Sequence, residues 1–223
     1  MLPALRPLPP LLLLGAIWGA TPAFVKHLGA AGWPPMLIAS CAAAGSALMV
    51  AAICRLRGLA VPLSPAHLRH YAVSGMFGVA LANLVGYTSL QHVPAGFFSL
   101  LVPLSPMLTV LGAAALGMER ATPRRVLGTA LGLAGVLLAM SPGAALPDPS
   151  VLPWALLAAL TPLCYAASNL FGVRLAPRGS PPLALATGTL AAGAMQAALL
   201  AAATGQASLP PAAGLPVSLL QAV

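Results

Sequence analysis

Residues Met36–Gly58 read MLIASCAAAGSALMVAAICRLRG: an uncharged run from Met36 to Ile53, then Arg55 and Arg57, then a glycine. A helix needs about 20 consecutive apolar residues to cross the hydrocarbon core of a bilayer. This run approaches that length without one formal charge. The two guanidinium groups at its end cannot follow it into lipid, so they mark the face on which the chain leaves the membrane.

The same pattern repeats in both directions along the chain. Apolar stretches occupy Leu8–Val25, Met36–Ile53, Tyr71–Leu90, Pro94–Leu116, Pro123–Met140, Val151–Val173 and Leu183–Ala203, and an eighth begins near Leu215 and stops at Val223. Nine of the ten Lys and Arg residues lie in every second gap: Arg6, then Arg55, Arg57 and Arg69, then Arg120, Arg124 and Arg125, then Arg174 and Arg178. Lys26 is the exception. Short basic connections stay on the cytoplasmic side, so the N-terminus is expected inside and residues 29–35, 91–93, 141–150 and 204–214 outside. The fold class is therefore all-α, a polytopic helical bundle of about seven to eight transmembrane helices in the inner or plasma membrane. Strands of a membrane barrel would read as alternating segments of about ten residues, a pattern this sequence lacks.

Composition agrees. Of 223 residues, 60% are hydrophobic and 5% charged, and the mean hydropathy is +0.96, whereas a soluble domain carries about 25% charged residues. The net charge of +8 does not point to nucleic acid, because the cations sit singly or in pairs at run ends rather than on one polar face. Cys41, Cys54 and Cys164 are odd in number and far apart, with neither a disulfide framework nor metal-ligand spacing; no metal and no cofactor are expected. Arg6 followed by Leu11–Leu14 has the look of an export signal. Apolar character continues to Val25, however, so an uncleaved first span is expected.

Three stretches together resemble the EamA domain of the drug/metabolite transporter superfamily. Ile17-Trp18-Gly19, with Lys26 near the outer end of span one, is similar to the family's opening Trp-Gly helix. Pro106 in span four precedes Glu119 in Leu116-Gly117-Met118-Glu119-Arg120. Gly128 follows nine residues later, then Gly135-Val136, similar to the family's closing helix. Pro106, Glu119, Gly128 and Gly135 are structural by this reading. The resemblance implies two inverted five-helix repeats around a central substrate cavity, here a first repeat over 1–145 and an incomplete second over 146–223. Trp154–Leu175 looks like the start of the second copy. The family's ten-helix pattern implies a chain shortened at its C-terminus, with the remainder missing or supplied by a partner. Span two carries no Arg after Pro35, and Met118 stands where the family has Gly; both are departures from the pattern.

Polar groups inside a membrane are costly and so mark sites or packing. Asn83, Tyr87 and Gln91 recur four apart and share one helix face, as do Tyr165 and Asn169. The inverted repeats place Tyr165 across from span one. Trp18, Thr21 and Gln196 complete a candidate substrate-binding set, with interhelical hydrogen bonding or packing as the alternative role of each. Lys26 reads either as a cation at the outer mouth or as a snorkelling side chain. His67 and His70 are expected to be solvated, Asp148 exposed, and Glu119 paired with a neighbouring arginine. Gly15 with Gly19, Gly128 with Gly132, and Gly188 with Ala192 are candidates for close helix approach.

The expected function is a carrier moving a small metabolite or drug-like molecule by alternating access, its midplane site lined by spans one, three, four, six and seven. The alternative is a truncated remnant that inserts without transporting. A membrane-embedded enzyme fits less well: the only carboxylates are Glu119 and Asp148, neither within a span, and no Ser–His pair or metal-binding helix is present. Partners are a small-molecule substrate and the lipid bilayer, with no nucleic acid; a homodimer is a candidate assembly.

Overall fold

The computed structural model describes residues 8–119, 122–139 and 148–208. Among the described residues the regular structure is helical: α1 (Leu8–Ala30), α2 (Pro35–Leu56), α3 (Pro65–Gly75), α4 (Ala82–Leu90), α5 (Ala95–Leu101), α6 (Leu104–Ala115), α7 (Pro123–Ala139), α8 (Leu152–Leu175) and α9 (Pro182–Ala203). A π-helical segment, Met76–Leu81, fuses α3 to α4, and a 3-10 turn, Pro149–Val151, leads into α8. Five stretches are long and apolar enough to cross a membrane by length and composition: Pro35–Leu56, Pro65–Leu90, Ala95–Ala115, Pro149–Leu175 and Pro182–Ala203. The expectation of seven to eight spans is met at those five. Helices α1 and α7 lie where the first and fifth were expected, α7 having 17 residues. The eighth, near Leu215, and the cations Arg6 and Arg120 fall outside the described residues.

Prolines start these helices more often than they bend them. Pro35, Pro65 and Pro182 occupy first turns, where the missing N–H would have had no helical partner. Pro106 also lies in the first turn of α6, so it removes no internal hydrogen bond there. Pro22 and Pro162 are carried inside continuous α1 and α8, and only near Pro103 does a span break, between α5 and α6. At the far ends, Gly58 and Gly117 take φ of +66° and +67°. The following amides reach back to Cys54 and Ala113 carbonyls at 2.9 and 2.8 Å, which closes α2 and α6 in the manner of a Schellman cap.

Helix α9 packs along α2 and against α3 and the π segment; α8 packs against α4 and α6. Helix α1 meets α2, α4 and α5, and α7 rests on α6 and α5. Helices α3 and α9 meet backbone to backbone at Gly75. A Cβ at Gly75 would stand 2.7 Å from the Gly193 amide nitrogen and 2.9 Å from the Thr189 carbonyl oxygen, and one at Gly193 would be 2.5 Å from Val79 Cβ. Of the glycine pairs expected at helix contacts, Gly188 faces the Tyr71 ring and Gly132 faces Met107. Gly15, Gly19 and Gly128 have nothing near them, nor does Gly135. Small-residue spacing thus marked helix contacts at Gly188, in the α3–α9 seam, and at Gly132, but not at Gly15, Gly19 or Gly128. It missed Gly75 and Gly193, because spacing cannot say which face of a helix has a neighbour.

Large apolar side chains cover the outside: Leu48 is 72% exposed and Leu131 65%. In water such a surface would drive association; against hydrocarbon it costs nothing. Polar ties hold the bundle ends. Cys54 Sγ lies 3.4 Å from Thr187 Oγ1, and the Tyr71 hydroxyl donates to the Pro62 carbonyl at 3.0 Å. His70 is not solvated as expected, while His67 is half-buried and hydrogen-bonded. His70 is buried, and the His67 ring bridges Ser64 Oγ at 2.7 Å and Ser180 Oγ at 2.8 Å. Asp148 is exposed and accepts from the Ser150 backbone N–H at 2.7 Å, which holds its carboxyl below the usual carboxylate range.

Arg125 donates to Glu119 at 2.7 Å, with the two side chains 53% and 58% exposed. Exposed pairs are worth about 0–1 kcal/mol, so Glu119→Gln is expected to leave the melting temperature in detergent within about 2 °C of the parent. A larger fall would mean that this loop contributes more to the fold than its exposure implies.

Candidate functional site

Helices α1, α2, α4, α5, α8 and α9, with the π segment, line an open-sided cavity of about 290 Å³, at the small end of ligand-binding clefts. Its polar and aromatic wall is set by local helix geometry. The π segment spans one residue more per hydrogen bond than an α-helix, and directly after it α4 presents Asn83 and, one turn on, Tyr87 to the cavity. Trp18 and Thr21 come from α1, Tyr165 from α8 and Phe98 from α5. The Trp18 and Tyr165 rings lie 6.5 Å apart, tilted by 34°. Thr21 turns its hydroxyl hydrogen to the Ile17 carbonyl at 2.9 Å, leaving its oxygen lone pairs free on the cavity side.

Five of the nine residues expected to bind substrate therefore share one wall: Trp18, Thr21, Asn83, Tyr87 and Tyr165. Four do not. The Lys26 ammonium donates to the Val93 carbonyl, tying the end of α1 to the turn before α5 instead of facing the cavity. The Gln91 amide donates back to the Tyr87 carbonyl at 3.2 Å, and its head lies over Gly29. Asn169 donates to Thr109 Oγ1 at 3.3 Å, linking α8 to α6. Gln196 donates to the Ala72 carbonyl at 2.9 Å across the α3–α9 seam. The last two make the interhelical hydrogen bonds that were the alternative role for them.

Sequence reasoning missed the part played by span two. Ala39, Ala42, Ala43 and Ser46 of α2 form a full side of the cavity, and only Ser46, a polar residue in an apolar run, could have signalled it. Span seven contributes Leu190 rather than Gln196. Gly78 also lines the wall; a Cβ there would lie 2.5 Å from Ser168 Oγ, so glycine lets α8 approach beside the cavity. His92 stacks on Trp154 with ring centroids 3.7 Å apart, a contact at the bundle end that spacing could not reveal. Among the described residues no group of three potential metal ligands is found.

Comparison with known proteins bears on what such a cavity serves. The EamA-like transporter family matches residues 10–141. Over 168 residues the chain is 31% identical to the uncharacterized inner membrane transporter YedA of Escherichia coli K12, and equally to that of the O157:H7 strain. The aligned region is 74% of this chain and 52% of the relative, so the chain spans about half the length of the curated relatives it matches. No solved structure gives a significant match. Membership points to transport rather than catalysis. With a family match over more than half its length and apolar helices able to cross a bilayer, the chain belongs to the EamA-like transporters of the drug/metabolite superfamily, a family of multi-pass membrane proteins.

Proposed function

We propose that this chain forms a carrier that moves a small molecule across the inner membrane by alternating access, with the cavity between α1, α2, α4 and α8 as its binding site. One observation carries the reading. Rings and uncharged polar groups from helices far apart in sequence, Trp18, Asn83, Tyr87 and Tyr165, converge on one small cavity in an otherwise apolar bundle. Polar side chains in lipid need protein or water beside them, and a cavity between opposed helices is where a carrier holds cargo at mid-depth. In this reading 1–145 is one repeat, and α8 and α9 begin a second, 146–223. The meeting of Trp18 with Tyr165 supports the opposition of the two first helices. The basic connections lie in the cytoplasm with the N-terminus.

The reading is tested by substrate uptake in proteoliposomes. Asn83→Ala and Tyr87→Ala are each expected to lower uptake about tenfold or more, the scale of one lost substrate contact, while membrane expression falls by less than half. Equal losses of uptake and expression would assign both residues to packing and remove the cavity from the mechanism.

A further inference from the structure

The cavity's wall specifies the charge of its cargo. Among the described residues lining it, none is Asp, Glu, Lys, Arg or His. The two side-chain carboxylates, Glu119 and Asp148, belong to connections outside the spans, and the Lys26 ammonium is engaged by the Val93 carbonyl. What the wall offers instead is neutral hydrogen-bonding capacity that the protein leaves unused. Among the described residues the Asn83 amide, the Tyr87 and Tyr165 hydroxyls and the Ser46 hydroxyl line the cavity without a hydrogen-bond partner. Asn83 presents both donors and acceptors from one planar group. Around it stand ring faces: Trp18 and Tyr165 at 6.5 Å from each other, with Phe98 nearby.

Such a wall discriminates by charge. An ion leaving water for a site without a counter-charge loses hydration that neutral dipoles only partly replace. Ring faces attract cations, but that attraction is weaker than the hydration an ammonium group gives up when no carboxylate receives it. An uncharged molecule loses far less, recovers its hydrogen bonds at Asn83 and the hydroxyls, and buries a flat face on the rings. We infer that the cavity selects an uncharged, flat ring compound carrying an adjacent hydrogen-bond donor and acceptor, the edge that a carboxamide or lactam presents. The inference rests on the carrier reading for its biological meaning, but binding tests it separately.

Benzamide, benzoate and benzylammonium share one ring and differ in charge. Equilibrium dialysis of each, radiolabelled, against the detergent-purified full chain at pH 7 is expected to show benzamide held about tenfold tighter than either ion, the equivalent of one hydrogen bond or more. Asn83→Leu should remove that advantage. Asn83→Asp, which keeps the shape, should weaken benzamide and admit benzylammonium, so the prediction survives if the leucine variant fails to fold. An ion that binds the parent as tightly as benzamide overturns the inference, and so does a parent that binds none of the three. Proteoliposome uptake separates the two readings. Benzamide bound but never moved would end the carrier reading alone, whereas an ion carried in preference to benzamide would end the charge inference alone.

Discussion

Gly75→Ile is expected to remove the protein from the membrane fraction, or to leave material that aggregates on extraction. The new side chain would begin 2.7 Å from the Gly193 amide nitrogen and 2.9 Å from the Thr189 carbonyl oxygen, well inside contact distance. Both are backbone atoms of α9, so no rotamer change can clear them. Relief would require α3 and α9 to separate. That would open the Val79–Gly193 contact one turn further on and break the Gln196–Ala72 hydrogen bond. Helices in lipid associate through close packing and such polar ties rather than through exclusion of water. Overpacking costs about 1–3 kcal/mol, and more where nothing can yield, which is a large part of the stability of a marginal fold. Gly15→Ile is the control: nothing lies within 4 Å of that position, and its yield and melting temperature should match the parent. A Gly75→Ile protein that extracts and melts normally would show that the α3–α9 seam is looser than described.

Ser46→Trp is expected to abolish uptake while leaving the fold intact. Ser46 is exposed on α2 and lines the cavity, so an indole there has room to enter without displacing a packed neighbour. A space of about 290 Å³ suits one small ligand, and a tryptophan side chain would take up much of it. Uptake should fall at least about tenfold, as for the loss of several ligand contacts, with the melting temperature unchanged. Leu48→Trp, two residues along the same helix at a 72% exposed position on the outer surface, should have no effect on either. Normal transport by Ser46→Trp would mean that substrate passes elsewhere.

The alternation of arginine-bearing and arginine-free gaps made the helical order legible, because the cost of carrying a guanidinium through lipid is paid at every crossing and so is written along the whole chain. The wall of the cavity was legible where a polar or aromatic residue stood alone in an apolar helix, as Trp18, Asn83, Tyr87 and Tyr165 do. It was illegible on α2, where alanines do the lining: an alanine facing a cavity and one facing a neighbouring helix have the same sequence signature. Lys26 and Gln196 misled for a related reason. Each is long enough to reach a backbone carbonyl, at Val93 or Ala72, and no periodicity reveals where an acceptor on another helix will lie. The contact of Gly75 with Gly193 depends on how α3 and α9 are rotated, a property of the assembled bundle and of neither helix alone.

The π segment Met76–Leu81 separates Gly75, seated on α9, from Asn83 and Tyr87, which face the cavity. An α-helix advances about 100° per residue around its axis. Loss of a single codon within 76–81, with the remaining turns kept as they are, would therefore swing everything after it by close to that angle relative to everything before. The glycine could then stay on its neighbour, or the asparagine could stay in the cavity, but not both. This stretch should accordingly accept substitutions that keep its size while rejecting any change in its number of residues.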